Sequence, residues 1–106
     1  MTHYRLVFRR EALQQLEELY DFIADAGSPA NAAGFTESIV SFCEGLTDFP
    51  YRGLAREDLR PGLRTIGYRK RVVIAYAILN ETVAIVGIFY GGRDHEQMLR
   101  EPQQDS

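Results

Sequence analysis

The chain has 106 residues and a formal net charge of −3, with 45% hydrophobic and 25% charged residues. These values are ordinary for a soluble globular protein, so they exclude a chain that is disordered throughout, and the length suits one domain with a single modest core. The longest apolar run, Val72 to Leu79, is far shorter than the ~20 residues of a membrane-spanning helix, so we expect a cytoplasmic protein.

The N-terminal part of the sequence predicts one strand followed by an amphipathic helix. Residues 4–8 alternate in character, which is typical of a half-buried strand. From Glu11 onward the spacing of apolar residues lengthens to three and four, which is the period of a helix with one buried face. The apolar positions of this helix are Leu13, Leu16, Tyr20 and Ile23, with Ala12, Leu19 and Phe22 widening the stripe.

A second helix is predicted directly after the sequence Gly27-Ser28-Pro29. Gly27 suits a left-handed residue that closes the first helix, Ser28 suits the cap of the next helix, and Pro29 suits a first helical position. Apolar residues then recur at spacings of three and four from Ala32 to Phe49, and Pro50 ends the helix. Because so few residues join the two helices, they should form an antiparallel hairpin.

The second half of the chain predicts a loop and then three strands. Residues 51–62 contain Pro and Gly without a sustained period and indicate a loop. Runs rich in β-branched and aromatic residues follow at 63–68, 72–79 and 82–90. Only Asn80 and Glu81 separate the last two runs, which is typical of a hairpin.

These elements predict an α+β fold for a single domain in residues 1–100. It consists of an N-terminal strand, an antiparallel two-helix hairpin and a three-stranded antiparallel meander, with the helices on one face of the sheet. The first strand should join the sheet at an edge or beside the last strand. The opposite face is then available to a partner or a substrate, and residues 101–106 should form a flexible tail.

The sequence offers little conventional catalytic chemistry. It has no nucleophile elbow, P-loop or dinucleotide fingerprint, and no cofactor is expected. His95 begins a segment similar to a zincin motif, but Leu99 stands where the second histidine would be needed, so no metal site is expected. The single cysteine, Cys43, lies among apolar residues and predicts a buried, unreactive thiol.

Positive charge is concentrated in the second half of the chain. Residues 1–50 contain three Lys/Arg against eight Asp/Glu, whereas residues 51–71 contain seven against two. An antiparallel sheet should bring these groups side by side, and the rigid fork of arginine matches carboxylates and phosphates. The alternative is a set of solvated charges that discourage sheet-to-sheet association. The basic residues considered are Arg60, Arg64, Arg69, Lys70, Arg71 and Arg93.

Four segments together resemble the ParE family of bacterial type II toxins, within the RelE/ParE superfamily. They are FP-x-x-G at Phe49 to Gly53, DLRPGLR at Asp58 to Arg64, VVIAYAI at Val72 to Ile78 and VAIVGIFYGGRD at Val83 to Asp94. The resemblance covers nearly the whole chain. It implies a compact toxin that a co-expressed, ParD-like antitoxin wraps and neutralises in a hetero-oligomer.

The superfamily suggests two different activities. ParE members are associated with poisoning of DNA gyrase, whereas RelE members cleave messenger RNA on the ribosome. RNA cleavage needs a general base, a general acid and charge stabilisation, and RelE-like proteins have a tyrosine beyond the last strand. This chain has no tyrosine after Arg93, and its net charge is −3. We therefore favour a toxin that binds gyrase without catalysing a reaction and without binding a specific nucleic-acid sequence.

The resemblance also suggests which residues contact each partner. The expected target-binding residues are Arg64, Arg93, Asp94 and His95, and the expected antitoxin-binding residues are Arg60, Arg64, Arg69 and Arg71. If the chain is instead a ribosome-dependent mRNA endonuclease, its catalytic residues would be Arg64, Arg69, Arg93 and His95. A third possibility is a degenerate toxin that is retained only as a binding partner.

Overall fold

A computed structural model describes residues 3–91 and 94–100. It contains the strands β1 (Arg5–Phe8), β2 (Leu54–Ala55), β3 (Leu63–Tyr68), β4 (Val72–Leu79) and β5 (Thr82–Tyr90). Its helices are α1 (Arg10–Ala26), α2 (Pro29–Gly45) and α3 (His95–Leu99), with a 3-10 turn at Pro50–Arg52. Within these residues, none of the helices combines the length and the apolar character needed to cross a membrane.

The five strands form one sheet in the order β1-β5-β4-β3-β2. The meander β3-β4-β5 is antiparallel, as predicted, and β1 lies at the edge in parallel to β5. The register of β4 and β5 shifts between Ala75 and Tyr76, so Val86 is an extra residue in β5. Such a bulge bends a strand locally and re-aims its side chains.

The two long helices cover one face of the sheet and form the main core with it. Tyr76, Ile74 and Ile85 are fully buried there against Ile39 and Leu46. The hydroxyl of Ser28 accepts a hydrogen bond from the Asn31 N–H at 3.1 Å, and Pro29 occupies the first turn of α2, so the predicted start of this helix is confirmed. Burial of each large apolar side chain contributes roughly 1.5–3 kcal/mol, which makes this layer the main source of stability.

The opposite face of the sheet is partly covered by the segment between β2 and β3 and by α3. A second apolar cluster forms there, in which Leu99 of α3 packs with Leu59, Leu63, Ala75 and Phe89. The face of the sheet that was predicted to be available to a partner or a substrate is therefore partly covered by α3.

Four details differ from the sequence-based predictions. The helix α2 ends at Gly45, and Phe49 is 69% exposed instead of continuing the apolar stripe. Gly27 has φ −139°, so it is not left-handed, although its N–H still closes α1 by donating to the Ile23 carbonyl at 2.9 Å. The strand β2 and the helix α3 were not predicted, because two and five residues are too few to show a period.

Candidate functional site

The predicted target-binding residues Asp94 and His95 lie at the start of α3. Asp94 caps this helix, because its Oδ1 accepts a hydrogen bond from the Gln97 N–H at 3.2 Å. The His95 ring lies 6.1 Å from the Phe89 ring, centroid to centroid, on the face of the sheet opposite α1 and α2. Arg93, the third residue of the predicted group, lies outside the described residues.

Arg56 joins α3 to the segment that precedes β3. Its Nε and Nη2 donate to both carboxylate oxygens of Asp58 at 2.9 and 2.8 Å, and its Nη1 donates to Glu96 Oε2 at 2.9 Å. The hydrogen bond from Arg56 lowers the pKa of Asp58, and the two carboxylates raise the pKa of Arg56. Two parallel hydrogen bonds from one guanidinium to one carboxylate hold both groups in a defined geometry.

Arg60 holds the other end of α3. Its Nε donates to the Leu99 carbonyl at 2.7 Å, which satisfies one of the carbonyls that a helix leaves unpaired at its C-terminus. Beside this contact lies a cavity of about 300 Å³, lined by Arg60 and by the polar residues Arg9, Glu11 and Gln15 together with the apolar residues Val86, Phe89, Met98 and Leu99. The surface around the end of α3 thus combines charged and polar side chains with an apolar recess.

Arg64 faces the opposite side of the sheet and contacts the 3-10 turn. Its Nη1 donates to the backbone carbonyls of Tyr51 and Gly53, and its guanidinium lies 5.0 Å from the centroid of the Tyr51 ring. Its cross-strand neighbour Tyr76 belongs to the main core. Arg64 is therefore used in part to hold the chain's own backbone.

Arg69 and Arg71 belong to the tight turn between β3 and β4. Arg69 and Lys70 have φ values of 53° and 64°, a left-handed conformation that residues other than glycine adopt rarely. The guanidinium of Arg69 lies 5.3 Å from the centroid of the Tyr68 ring. Arg69 and Arg71 line a hollow of about 500 Å³ whose other walls include Asn31, Phe35, Ser38 and Tyr90.

The structure does not bring the predicted arginines onto one surface. Arg64 and Arg69 lie near opposite ends of β3, which separates them by roughly 16 Å along the strand. Arg60 lies with α3 on one face of the sheet, whereas Arg69 and Arg71 border a hollow on the helix side. The described part of the basic group therefore divides into separate sites.

Two expectations about reactive groups can be compared with the structure. Cys43 is buried, as predicted, and this burial raises the pKa of its thiol to about 12. Among residues 3–91 and 94–100, no three His, Cys, Asp or Glu side chains group in a way that could bind a metal ion.

Sequence reasoning missed Arg56 as a functional candidate. Its partner Glu96 is 40 positions away, and the short helix α3 that carries Glu96 was not predicted. The only signal in the sequence was the neighbouring pair of opposite charges at Arg56 and Asp58, which is too common on protein surfaces to be specific.

A family model described as ParE toxin of type II toxin-antitoxin system, parDE, matches residues 6–95. A chain of the chromosomal ParDE toxin-antitoxin system from P. aeruginosa superposes with a TM-score of 0.74 at 21% identity, covering 84% of this chain and 97% of that one. A chain of the RelBE2 toxin-antitoxin complex from Mycobacterium tuberculosis gives 0.59 at 22% identity, covering 83% and 98%. A mutant of E. coli toxin RelE in the free state gives 0.64 at 15% identity, covering 93% and 94%.

A search of curated proteins gave no significant match. At identities below 25%, the structural similarities establish the shared fold. The match to the family model extends over most of the chain, from the second residue of β1 to the first residue of α3.

Proposed function

The chain belongs to the family of ParE toxins of type II toxin-antitoxin systems, and from this premise we propose that it inhibits DNA gyrase by binding it. We further propose that a ParD-like antitoxin neutralises it in a hetero-oligomer. The observation that carries the family assignment is the match over residues 6–95. The choice of gyrase as the target depends on the arrangement of the residues that an RNA-cleaving relative would need.

Three of the four residues in the nuclease hypothesis are described, and they do not converge. Arg64 holds the backbone of the 3-10 turn, Arg69 stacks on Tyr68 beyond the other end of β3, and His95 lies on the opposite face of the sheet. General acid–base catalysis requires such groups within hydrogen-bond reach of one reacting phosphate. Residues 94–106 contain no tyrosine, and together with this arrangement that supports a binding toxin.

The proposed target-binding surface is the outer side of α3 with its flanking residues. Asp94 and His95 lie at its start, Met98 is 49% exposed near its end, and the recess of about 300 Å³ lies beside it. Arg93 immediately precedes this surface in the sequence. Arg64 was also assigned to target binding from the sequence, but its distance from α3 makes it a second, separate contact in this proposal.

The proposed antitoxin-binding surface lies on the other side of the molecule. Phe22 is 59% exposed and borders a cavity of about 270 Å³ with Leu19, Ile88 and Tyr90. Tyr90 also lines the hollow of Arg69 and Arg71, so the two recesses adjoin. An antitoxin segment could place apolar side chains beside Phe22 and acidic side chains on the two arginines. Arg60 lies with α3 on the opposite face and Arg64 contacts the 3-10 turn, so in this proposal they are separate contacts outside this surface.

The proposal can be tested by expressing the chain in cells with and without the antitoxin encoded beside it. Expression alone should arrest growth, change the supercoiling of a reporter plasmid and leave messenger RNA intact on translating ribosomes. Co-expression of the antitoxin should restore growth. Cleavage of messages in the ribosomal A site with normal plasmid supercoiling would instead identify a ribosome-dependent nuclease, and normal growth without antitoxin would identify a degenerate toxin.

A further inference from the structure

We infer that Arg56 is a positioning residue, which fixes the orientation of α3 and so presents the target-binding residues of the toxin. The inference rests on the proposed function, because it takes α3 as the surface that meets the target. It concerns a residue that is not itself assigned to either proposed partner surface but binds Glu96 of α3 directly.

The length of α3 makes external support necessary. An isolated helix of five residues is not stable in water, because nucleation costs more than one turn of hydrogen bonds returns. Two of its backbone hydrogen bonds run from the Met98 and Arg100 N–H groups to the Asp94 and Glu96 carbonyls, at 3.3 and 3.2 Å. The helix must therefore be held in place by contacts with the rest of the protein.

Contacts at both of its ends hold it. Arg56 binds the side chain of Glu96 in the first turn, Arg60 binds the carbonyl of Leu99 at the last residue, and the Leu99 side chain is buried in the second apolar cluster. Arg60 and Leu99 anchor only the C-terminal end. Within the described residues, the N-terminal end is held by the Arg56–Glu96 contact and by the His95 ring beside Phe89, and of these two only the Arg56–Glu96 contact is a hydrogen-bonded ion pair.

Arg56 is itself well placed for this role. Its side chain is only 16% exposed, and Asp58 occupies the two other arms of its guanidinium. Its backbone N–H donates to the Leu63 carbonyl at 2.8 Å, and its carbonyl accepts from the Leu59 N–H at 3.0 Å. These contacts fix the guanidinium of Arg56 relative to the sheet, so Glu96 binds a group whose position is already set.

The ion pairs themselves contribute little to global stability. The effect of Arg56 on the position of α3 can therefore be measured separately from its effect on folding. Asp58 and Glu96 are 58% and 46% exposed, and ion pairs with exposed partners have small effects on unfolding. Loss of Arg56 should therefore release α3 without unfolding the core. A residue with a purely structural role would instead lower the stability of the whole domain.

Hydrogen exchange of the full chain tests the inference without reference to any target. Arg56→Ala and Glu96→Gln should each raise the exchange rates of the Met98 and Arg100 amides at least about tenfold, with the rates of core amides in β4 unchanged. Arg52→Ala, which changes an exposed arginine near α2, should leave the α3 amides protected. Unchanged protection of α3 in both Arg56→Ala and Glu96→Gln would overturn the inference.

A gyrase assay then tests whether the position of α3 affects inhibition of the target. If the wild-type chain inhibits gyrase, Arg56→Ala and Glu96→Gln should inhibit it at least about tenfold more weakly, while both bind the antitoxin with wild-type affinity. Equal inhibition by the wild type and by a variant with a released α3 would contradict the positioning role. Lack of inhibition by the wild type would contradict the proposed target, and the exchange result would still decide whether Arg56 holds α3.

Discussion

The hydroxyl of Tyr76 and the backbone of Gly53 are in direct contact in the interior of the protein. The hydroxyl accepts a hydrogen bond from the Gly53 N–H at 2.9 Å and donates one to the Pro50 carbonyl at 2.8 Å. Tyr76 is fully buried, and its burial raises the pKa of the phenol. This pair explains the glycine at the end of the FP-x-x-G sequence of residues 49–53, because the buried Tyr76 hydroxyl lies directly against the backbone that follows α2.

Substitution of Gly53 by alanine should destabilise the fold. A Cβ at this position would lie 2.6 Å from the Tyr76 hydroxyl and 2.9 Å from the Thr65 carbonyl, so part of the core would have to move. Overpacking of this kind costs about 1–3 kcal/mol in the free energy of unfolding, measured by urea denaturation. Gly34→Ala is the matched control, since a Cβ there meets nothing within 4 Å and should stabilise α2 by about 0.5–1 kcal/mol.

Removal of the Tyr76 hydroxyl should have an effect of similar size with a different cause. In Tyr76→Phe, the Gly53 N–H and the Pro50 carbonyl lose their partner in a buried site, which costs about 1–3 kcal/mol. Tyr20→Phe should change the unfolding free energy by less than about 0.5 kcal/mol, because the Tyr20 hydroxyl makes no hydrogen bond within the described part of the chain. Similar losses in both variants would show that the hydroxyl bridge has no special importance.

The Arg56–Asp58 pair should make a small part of the unfolding free energy depend on acid pH. The hydrogen bond from Arg56 lowers the pKa of Asp58 in the folded state. A lowered folded pKa gives stabilisation that is complete above the unfolded value, about 3.9, and is lost as the pH falls through the folded value. The unfolding free energies of the wild type and of Asp58→Asn should therefore differ most above about pH 5 and converge in strong acid. In an Arg56→Ala background, the effect of Asp58→Asn should no longer vary with pH in this way.

The thiol of Cys43 should be inert in the folded protein. Burial raises its pKa to about 12, so the thiolate fraction at pH 8 is on the order of 10⁻⁴ and a disulfide reagent has almost no nucleophile to react with. Reaction should begin only as the protein unfolds in denaturant. Ser41→Cys, on the exposed side of the same helix, should add one rapidly reacting thiol. Rapid reaction of the native wild type would show that the interior of α2 opens readily.

Arg69 and Arg71 should govern the rate of antitoxin binding. Replacing both by alanine should slow association with the antitoxin about tenfold at low salt and reduce the salt dependence of the rate, with a smaller change in dissociation. Arg10→Ala removes an exposed cation at the start of α1 and should have little effect. Association rates from stopped-flow measurements that are equal in all three proteins would exclude this surface.

The main elements of the fold could be predicted because their residues either repeat with the helical period or form apolar, β-branched runs bounded by turns. Residues 72–79 and 82–90 are continuous apolar runs, and the turn at Asn80 and Glu81 has both residues in the left-handed conformation expected of a two-residue hairpin. The predicted stripe of α1 is wrong at Leu13, which is 47% exposed, whereas Ala12, predicted at the edge of the stripe, is fully buried. The hydrophobicity of the residues alone does not show which side of a wide apolar stripe packs against the sheet.

The arrangement of the arginines could not be predicted for a related reason. Arg60 and Arg64 are four positions apart in the sequence, yet one contacts α3 and the other contacts the 3-10 turn on the opposite face. The side of the sheet that each faces depends on the start of β3 and on the register of its neighbours, which are tertiary properties. The contact between Arg56 and Glu96 depends in addition on a five-residue helix without a sequence signature.

Supercoiling of relaxed plasmid by purified gyrase, titrated with the purified chain, tests the central proposal most directly. The proposal predicts that supercoiling is blocked or that cleaved plasmid accumulates, that the antitoxin abolishes the effect, and that Asp94→Ala with His95→Ala weakens it without lowering antitoxin affinity. Unaffected supercoiling at saturating concentrations of a folded chain that binds its antitoxin would contradict the proposal.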